Sequence, residues 1–363
     1  MKDPRVQSAI AHWAPRFVSN GVPLADFEEV TAGVERWEDW CRAWSARAAV
    51  HEELGREALA GNCRLTAGEH LTRAAVCYHF AKFVFVVDAV QMIAAHAKAV
   101  ECRNLALPLI SPPGERVAIP YEGRHLYGIL RKPAGNREGM RPAVRPPVVV
   151  MCMGLDSTKE EMDANESVFL ARGMATLAFD GPGQGEGEYD FAIRGDYEIP
   201  VRAVVDYVET RGDLDGGRVG LWGVSLGGYY APRAAAFEQR ARACIALSGP
   251  FEWAEFFDRL PPLTRDTFRV RSKSASEAQA RERAATLTLK DVAKNITCPL
   301  FVVAGKQDGI VPWQEGERLA AAASGPVVRC FIEDGNHVAN NRVYRYRSQS
   351  ADWMARQLGA AAI

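Results

Sequence analysis

The chain is 363 residues long, with 48% hydrophobic, 9% aromatic and 25% charged residues. At roughly 100–200 residues per domain this length allows two domains, or one large domain with an insertion, and the composition excludes a disordered, collagenous or coiled-coil chain. Lys plus Arg number 44 against 45 for Asp plus Glu, a formal charge of −1, so no global field draws the chain to nucleic acid or an anionic membrane, and a small-molecule partner is expected.

The start, MKDPRVQSAIAHW, has no apolar h-region, and no stretch reaches the ~18 apolar residues of a membrane span. Phe80 to Val87 comes nearest and contains Lys82. A cytoplasmic protein with no membrane partner is the expectation. The eight cysteines are scattered, with no C-x-x-C pair, which argues against zinc, an iron–sulfur cluster or a disulfide framework. No metal and no cofactor is expected.

From residue 1 to about residue 110 the pattern predicts helices throughout, with Phe27, Val30, Val34, Trp37, Trp40 and Trp44 at spacings of three and four. Packing is the plain reading of that stripe. Ala67 to Ala99 predicts one or two further helices. At Ser111-Pro112-Pro113-Gly114 the texture changes, because Pro-Pro and Gly stop helices, and a boundary is expected between a helical domain, 1–110, and a second domain, 111–363.

Val117 to Tyr121 and Leu126 to Leu130 read as antiparallel strands joined at Glu122-Gly123. Short apolar runs then alternate with helical ones. The predicted strands are Val148–Met153, Ala175–Phe179, Val219–Trp222, Cys244–Leu247, Leu300–Val303 and Val327–Ile332. The predicted helices are Lys159–Ala171, Pro200–Val208, one after Leu226, Glu315–Ala323 and a closing helix, with a helical insertion at about 250–296. Apolar strands separated by helices describe an α/β fold with a mostly parallel, doubly wound sheet.

The strand ending at Trp222 runs into Gly223-Val224-Ser225-Leu226-Gly227-Gly228 and then into a helical pattern. That strand–turn–helix setting is what a G-x-S-x-G nucleophile elbow requires. Flanking glycines let the backbone turn sharply, and the serine Oγ is raised above the sheet at a helix N-terminus. A serine nucleophile needs a base, and the base an orienting carboxylate, in the chain order Ser, acid, His. Asp308 stands just past the strand ending at Val303, and His337, the only histidine after Ser225, just past the strand ending at Ile332. Asp334 is a rival acid, badly placed three residues before the histidine. The backbone N–H groups of Leu226 and of Leu155, the latter on the loop after Val148–Met153, are the expected oxyanion donors, with Gly154 permitting close approach.

Asp180-Gly-Pro-Gly-Gln-Gly185 fails the dinucleotide fingerprint, since Glu186 stands where the third Gly belongs. A tight loop at the sheet rim accounts for it better than phosphate binding.

With Gly-Val-Ser225-Leu-Gly-Gly-Tyr-Tyr, Asp-Gly-Pro-Gly-Gln-Gly, Gly-x-x-Asp308 and Gly-Asn-His337 in place, the chain resembles an α/β-hydrolase. More narrowly it resembles the branch with a helical N-terminal domain that includes 2,6-dihydroxypseudooxynicotine hydrolase, fungal polyketide chain-shortening hydrolases and FrsA-like esterases. The resemblance implies a helical cap insertion over the site, substrate between the helical domain and the C-terminal edge of the sheet, and, in some members, hydrolysis of a carbon–carbon bond beside a ketone.

In that frame Glu252 and Glu255, in the insertion, are candidates for an auxiliary acid, with a solvated helix charge as the plainer reading. Trp253, amid Phe251, Phe256 and Phe257, either walls an apolar lid or packs the cap. Tyr229 and Tyr230 either reach the pocket or fill the core, and His79 and Lys82 either face the domain interface and bind substrate oxygens or are structural. A helical domain exposing tryptophans, together with the resemblance, points to a homodimer. Three functions follow: a serine hydrolase cleaving a β-diketone or aryl ketone, a carboxylesterase, thioesterase or elimination enzyme, and a non-catalytic binding protein on the same scaffold. The triad argues against the last.

Overall fold

The computed structural model describes residues 2–134 and 145–360. Five helices come first: α1 (Pro4–Ser19), α2 (Leu24–Gly33), α3 (Trp40–Ala60), α4 (Arg64–Lys82) and α5 (Ala89–Ala106). α1 starts where the Asp3 carboxylate accepts the Arg5 N–H at 2.7 Å and Pro4 takes the first helical position, which satisfies one orphan donor and removes another. The aromatic stripe spans α2, a 3₁₀ turn at Trp37–Asp39 and α3. Phe17 stacks on Phe80 with centroids 3.7 Å apart, and the Trp40 indole N–H donates to the Phe80 carbonyl at 3.0 Å.

One expectation is corrected here. Trp37, Trp40 and Trp44 are 0% exposed and Trp13 2%, because the helices fold their aromatic faces onto one another, so tryptophan supplies no interaction surface. The apolar residues left exposed on these helices and their connections include Leu65, Val87, Val90 and Ile93.

The sheet has eight strands, β1 (Gly114–Tyr121), β2 (Arg124–Arg131), β3 (Pro147–Cys152), β4 (Ala175–Asp180), β5 (Asp215–Val224), β6 (Ala241–Leu247), β7 (Leu300–Gly305) and β8 (Val327–Ile332), in the order β1-β2-β4-β3-β5-β6-β7-β8. β1–β2 and β2–β4 pair antiparallel and the remaining pairs are parallel. Every residue of β3, β4 and β7 is buried, as expected of strands covered on both faces. The covering and connecting helices are α6 (Asp163–Leu170), α7 (Gly187–Asp190), α8 (Glu198–Thr210), α9 (Gly227–Ala235), α10 (Pro262–Arg271), α11 (Glu277–Ala285), α12 (Trp313–Ala322) and α13 (Arg347–Leu358). One apolar cluster runs without a break from the α1–α5 interior to β3, β5 and α9, and a second fills the opposite face beneath α6 and α13.

The predicted helix at Lys159 starts differently. Residues Lys159–Glu161 form a 3₁₀ turn ahead of α6, because Lys159 donates both its backbone N–H (2.9 Å) and its Nζ (2.7 Å) to the buried Asp180 carboxylate. Between β6 and β7 the insertion holds a 3₁₀ segment, Trp253–Arg259, then α10 and α11. Parallel strands all release their loops at the same C-terminal edge, and the loops after β3, β5, β7 and β8 meet there.

Candidate active site

Ser225 follows β5 directly and has a left-handed φ of 55°. Its backbone N–H donates to Leu247 O at 2.8 Å, stitching the turn to the end of β6. The glycines around it are steric necessities. A Cβ on Gly223 would lie 1.9 Å from Gly227 O, and one on Gly227 would lie 2.1 Å from Cys152 O, so no side chain fits where the turn crosses β3 and its own helix.

Ser225 Oγ and His337 Nε2 are 2.9 Å apart, and His337 Nδ1 is 2.8 Å from Asp308 Oδ2. The other carboxylate oxygen of Asp308 accepts the N–H groups of Ile310 (2.8 Å) and Val311 (2.9 Å), which fixes the acid on its loop. His337 is followed by two non-glycine residues with positive φ, Val338 (60°) and Ala339 (49°). A β-branched residue there is strained; the Val338 N–H donates to Ser248 Oγ at 3.1 Å, holding the histidine loop over β6. Asp334, the rival acid, is instead paired with Arg342 Nε at 2.7 Å.

The loop after β3 lies against the serine, since a Cβ on Gly154 would meet Ser225 Cβ at 3.2 Å. Among the described residues, no backbone carbonyl accepts the N–H of Leu155 or Leu226. Two N–H groups without a backbone acceptor therefore stand on the loops flanking Ser225.

Ser225 and His337 open into a cleft of about 390 Å³ whose polar lining includes Arg16, Asn20, Ser157, Glu161, Asn165 and Asn340. None of the seven residues expected to bind substrate lines it. Tyr229 and Tyr230 are 0% exposed; the first donates its hydroxyl to Gly195 O at 2.6 Å, and the second stacks on Tyr197 at 3.6 Å and accepts from Gln184 Nε2 at 3.3 Å. They are core residues because the helix after the serine is buried. Glu252 and Glu255 both pair with Arg318 of α12. Trp253 packs against Phe256 and Phe268 inside the cap, at 5.3 and 5.9 Å.

His79 and Lys82 face residues of the sheet region and are fully buried against the carboxylates of Glu161 and Glu188. Lys82 Nζ donates to Glu188 at 2.7 Å, and burial, its largest influence, leaves its pKa below the usual lysine range despite that carboxylate. His79 Nδ1 is 3.0 Å from Thr158 Oγ1, and its Nε2 is 3.0 Å from Glu161.

What the motif reading missed is Arg16. It lies on the buried face of α1, beside Trp13 and Phe17, and an arginine at an apolar position was the available signal. Its guanidinium donates to Asp156 (2.7 Å), Ser157 (3.1 Å) and Glu161 (2.8 Å), tying α1 to the loop that also carries Leu155. Burial opposes ionisation of Glu161, but Arg16 and His79 outweigh it and hold its pKa at about 2.

A folded value of about 2 against an ordinary 4.5 means this carboxylate stabilises the fold fully above pH 4.5 and loses that contribution, about 3 kcal/mol, as pH falls toward 2. Glu161→Gln is expected to destabilise the protein at pH 7 by about 3–5 kcal/mol, because Arg16 is left short of a buried partner, and to flatten the loss between pH 4.5 and 2. Urea unfolding at several pH values checks both; an unchanged acid slope would refute the assignment.

Two groups of ligand-type side chains converge among the described residues, Asp26–His51–Cys77 and His96–Glu160–Asp180. Each already holds a side-chain cation, Arg47 on Asp26 and Lys159 on Asp180 and Glu160. Asp180 also accepts the Glu186 N–H at 2.9 Å, so the Gly-rich loop wraps around a buried carboxylate. A Cβ on Gly185 would collide with that carboxylate at 2.0 Å.

A serine in a left-handed turn between a parallel strand and a helix, with a histidine and an aspartate on the later strand ends, on this strand order, defines an α/β-hydrolase. Two family models match, the prolyl oligopeptidase family over residues 160–361 and the FrsA-like esterases over residues 26–258. Over 357 residues the chain is 34% identical to 2,6-dihydropseudooxynicotine hydrolase of Paenarthrobacter nicotinovorans, covering 96% of this chain and 92% of that protein. It is 34% identical over 230 residues to 20-hydroxy-prefusarin hydrolase of Gibberella moniliformis, covering 60% and 54% of the two chains. The crystal structure of 2,6-dihydroxy-pseudo-oxynicotine hydrolase superposes with a TM-score of 0.86 at 32% identity, covering 97% and 98%. The chain belongs to the α/β-hydrolases, in the branch of the FrsA-like esterases, and is an enzyme of that class.

Proposed function

We propose that the chain is a serine hydrolase that cleaves a carbon–carbon bond of a β-diketone or aryl ketone, with an aromatic or polyketide-like substrate, through an acyl-enzyme. The observation that carries the hydrolytic mechanism is the hydrogen-bonded line Ser225–His337–Asp308, at 2.9 and 2.8 Å, beside two free backbone N–H groups. The choice of a ketone rests on the near full-length similarity to 2,6-dihydropseudooxynicotine hydrolase.

His337 takes the Ser225 proton as Oγ bonds to the ketone carbon, and Asp308 stabilises the imidazolium. The carbonyl electron pair moves to oxygen, held by Leu226 and Leu155 N–H. When the carbonyl re-forms, the carbon–carbon bond breaks, its electron pair leaves on the enol or electron-rich ring carbon, and His337 returns the proton. A water, deprotonated by His337, then attacks the acyl-serine and releases a carboxylic acid. Glu252 and Glu255 take no part in this scheme, being committed to Arg318.

A carboxylesterase or thioesterase is the second reading, favoured by the FrsA-like match over residues 26–258. Incubating wild type and Ser225→Ala with aryl 1,3-diketones and p-nitrophenyl esters, with products identified by mass spectrometry, separates the two. Acid plus ketone or arene from wild type alone supports C–C hydrolysis; fast ester turnover with intact diketones refutes it.

We propose further that residues 1–110 and 111–363 are two domains, with the cap at about 250–296. The expected compartment is the cytoplasm, which suits eight cysteines that are all free thiols. Copies pair through the helical domain, where Leu65, Val87, Val90 and Ile93 are 70%, 49%, 79% and 48% exposed. Sedimentation velocity on wild type and Val90→Glu/Ile93→Glu tests the pairing, and a monomeric wild type refutes it.

A further inference from the structure

The last residue of the cap helix α10, Arg271, reaches into the centre of the molecule, and its side chain is 1% exposed. One end of its guanidinium donates to the carbonyl of Leu155. The other donates to the carbonyl of Phe83, at the end of α4, at 2.8 Å. Its Nε lies 3.4 Å from Glu188 on α7, the carboxylate that also holds Lys82. The Arg271 main-chain carbonyl accepts the Ile193 N–H at 3.1 Å, so both side chain and backbone of this residue are committed.

Four separate segments thus meet on one cation: the cap, the loop after β3, the N-terminal helices and the Gly-rich loop with α7. The contact to Leu155 matters most. Gly154, which precedes it, has no side chain to restrain it, and the loop runs against Ser225. A flexible glycine is a poor hinge on which to mount a donor that must point at one place, because oxyanion stabilisation depends on donors fixed before the charge develops. A guanidinium fork presents fixed N–H directions, and here it takes the carbonyl of the residue that carries the donor, which restricts the peptide plane on the C-terminal side of Leu155. The other end of the fork is set by a main-chain carbonyl of the helical domain.

We propose that Arg271 is a positioning residue for catalysis: it aims the Leu155 N–H at the oxyanion, and does so only when the cap and the N-terminal helices are both docked. The proposal rests on the acyl-transfer reading above. Arg271 touches no reacting atom, so its loss acts through Leu155.

The expected signature is a loss of transition-state binding without a loss of ground-state binding. Arg271→Met and Arg271→Lys are compared with wild type after titrating active sites with a fluorophosphonate, so that misfolded molecules drop out of the rate. Lys keeps the charge but, as a point donor, cannot span both carbonyls, which makes it the variant to rely on if Met does not fold. Turnover per titrated site is expected to fall about 100-fold, the scale of a misdirected oxyanion donor, with KM within threefold. The inhibition constant of an aryl trifluoromethyl ketone, which forms an oxyanion on the serine, is expected to rise in parallel. A turnover per titrated site equal to wild type, with only the melting temperature or the number of active sites reduced, would make Arg271 merely structural and overturn the proposal. So would an unchanged trifluoromethyl ketone constant. If wild type itself is not labelled at Ser225, the acyl-transfer reading falls first and takes this proposal with it.

Discussion

Replacing Ser225 by Ala, or His337 by Ala, is expected to lower kcat by about 10⁶-fold, equivalent to about 8 kcal/mol of transition-state stabilisation. The two side chains are joined at 2.9 Å and, in the proposed mechanism, act as one nucleophile. Ser without His has no base at neutral pH, and His without Ser has nothing to activate. Removing both is therefore expected to cost little more than removing either, since residues that act as a unit are strongly non-additive. Residual catalysis above the water reaction should survive in all three variants, from substrate binding and from the Leu155 and Leu226 donors. Stopped-flow and long-time-course assays on the same substrate measure the three losses; additive losses, or Ser225→Ala retaining a percent of activity, would break the mechanism.

Asp308→Asn is expected to lower kcat by about 10⁴-fold while leaving the fold close to wild type. The structure explains the separation. One carboxylate oxygen, Oδ1, accepts the Ile310 and Val311 N–H groups, and an amide oxygen serves there equally well, so the loop is kept. The other oxygen faces His337 Nδ1 at 2.8 Å, and an amide nitrogen placed there donates where an acceptor is needed, favouring the imidazole tautomer that carries its proton on Nε2. That tautomer cannot accept from Ser225. Asp334→Asn is the matched control, because Asp334 pairs with Arg342 near the surface, and its activity should stay within about twofold of wild type, as for surface changes generally. Equal losses in the two variants would reassign the acid.

The two halves of the site differ in how legible they were. The serine turn was readable because β5 and α9 each have strong local patterns and the glycines between them answer local collisions, such as the 1.9 Å approach at Gly223. Asp308 and His337 were readable because each follows an apolar strand, and parallel strands deliver their loops to one edge whatever the connections between them. The mostly parallel, doubly wound sheet expected from that alternation is the sheet observed, in the strand order β1-β2-β4-β3-β5-β6-β7-β8, and the α/β-hydrolase fold is the one that the resemblance implied.

The substrate-side residues were not legible, for a reason the individual cases share. Whether Tyr230 reaches a pocket or stacks on Tyr197 depends on where a loop more than thirty positions away comes to rest. Whether Glu252 is free depends on Arg318 of α12. The tryptophan stripe packs inside, as its spacing read, and the exposed tryptophans expected to support a pairing of copies are absent, since Trp13, Trp37, Trp40 and Trp44 are all buried. Side-chain period identifies a face but not its partner.

From its sequence alone this chain was committed to an alternating β/α order, a strained serine turn, and an acid and a histidine at later strand ends, since each is set by local steric and periodic constraints. The tertiary structure alone decided which groups the buried cations meet. Arg16 meets Glu161, Lys82 meets Glu188, and Arg271 meets Leu155 and Phe83. A buried ion must find its counter-charge or carbonyl wherever the packed elements bring one within reach, and that proximity joins residues up to 188 positions apart, a distance over which no local pattern carries information.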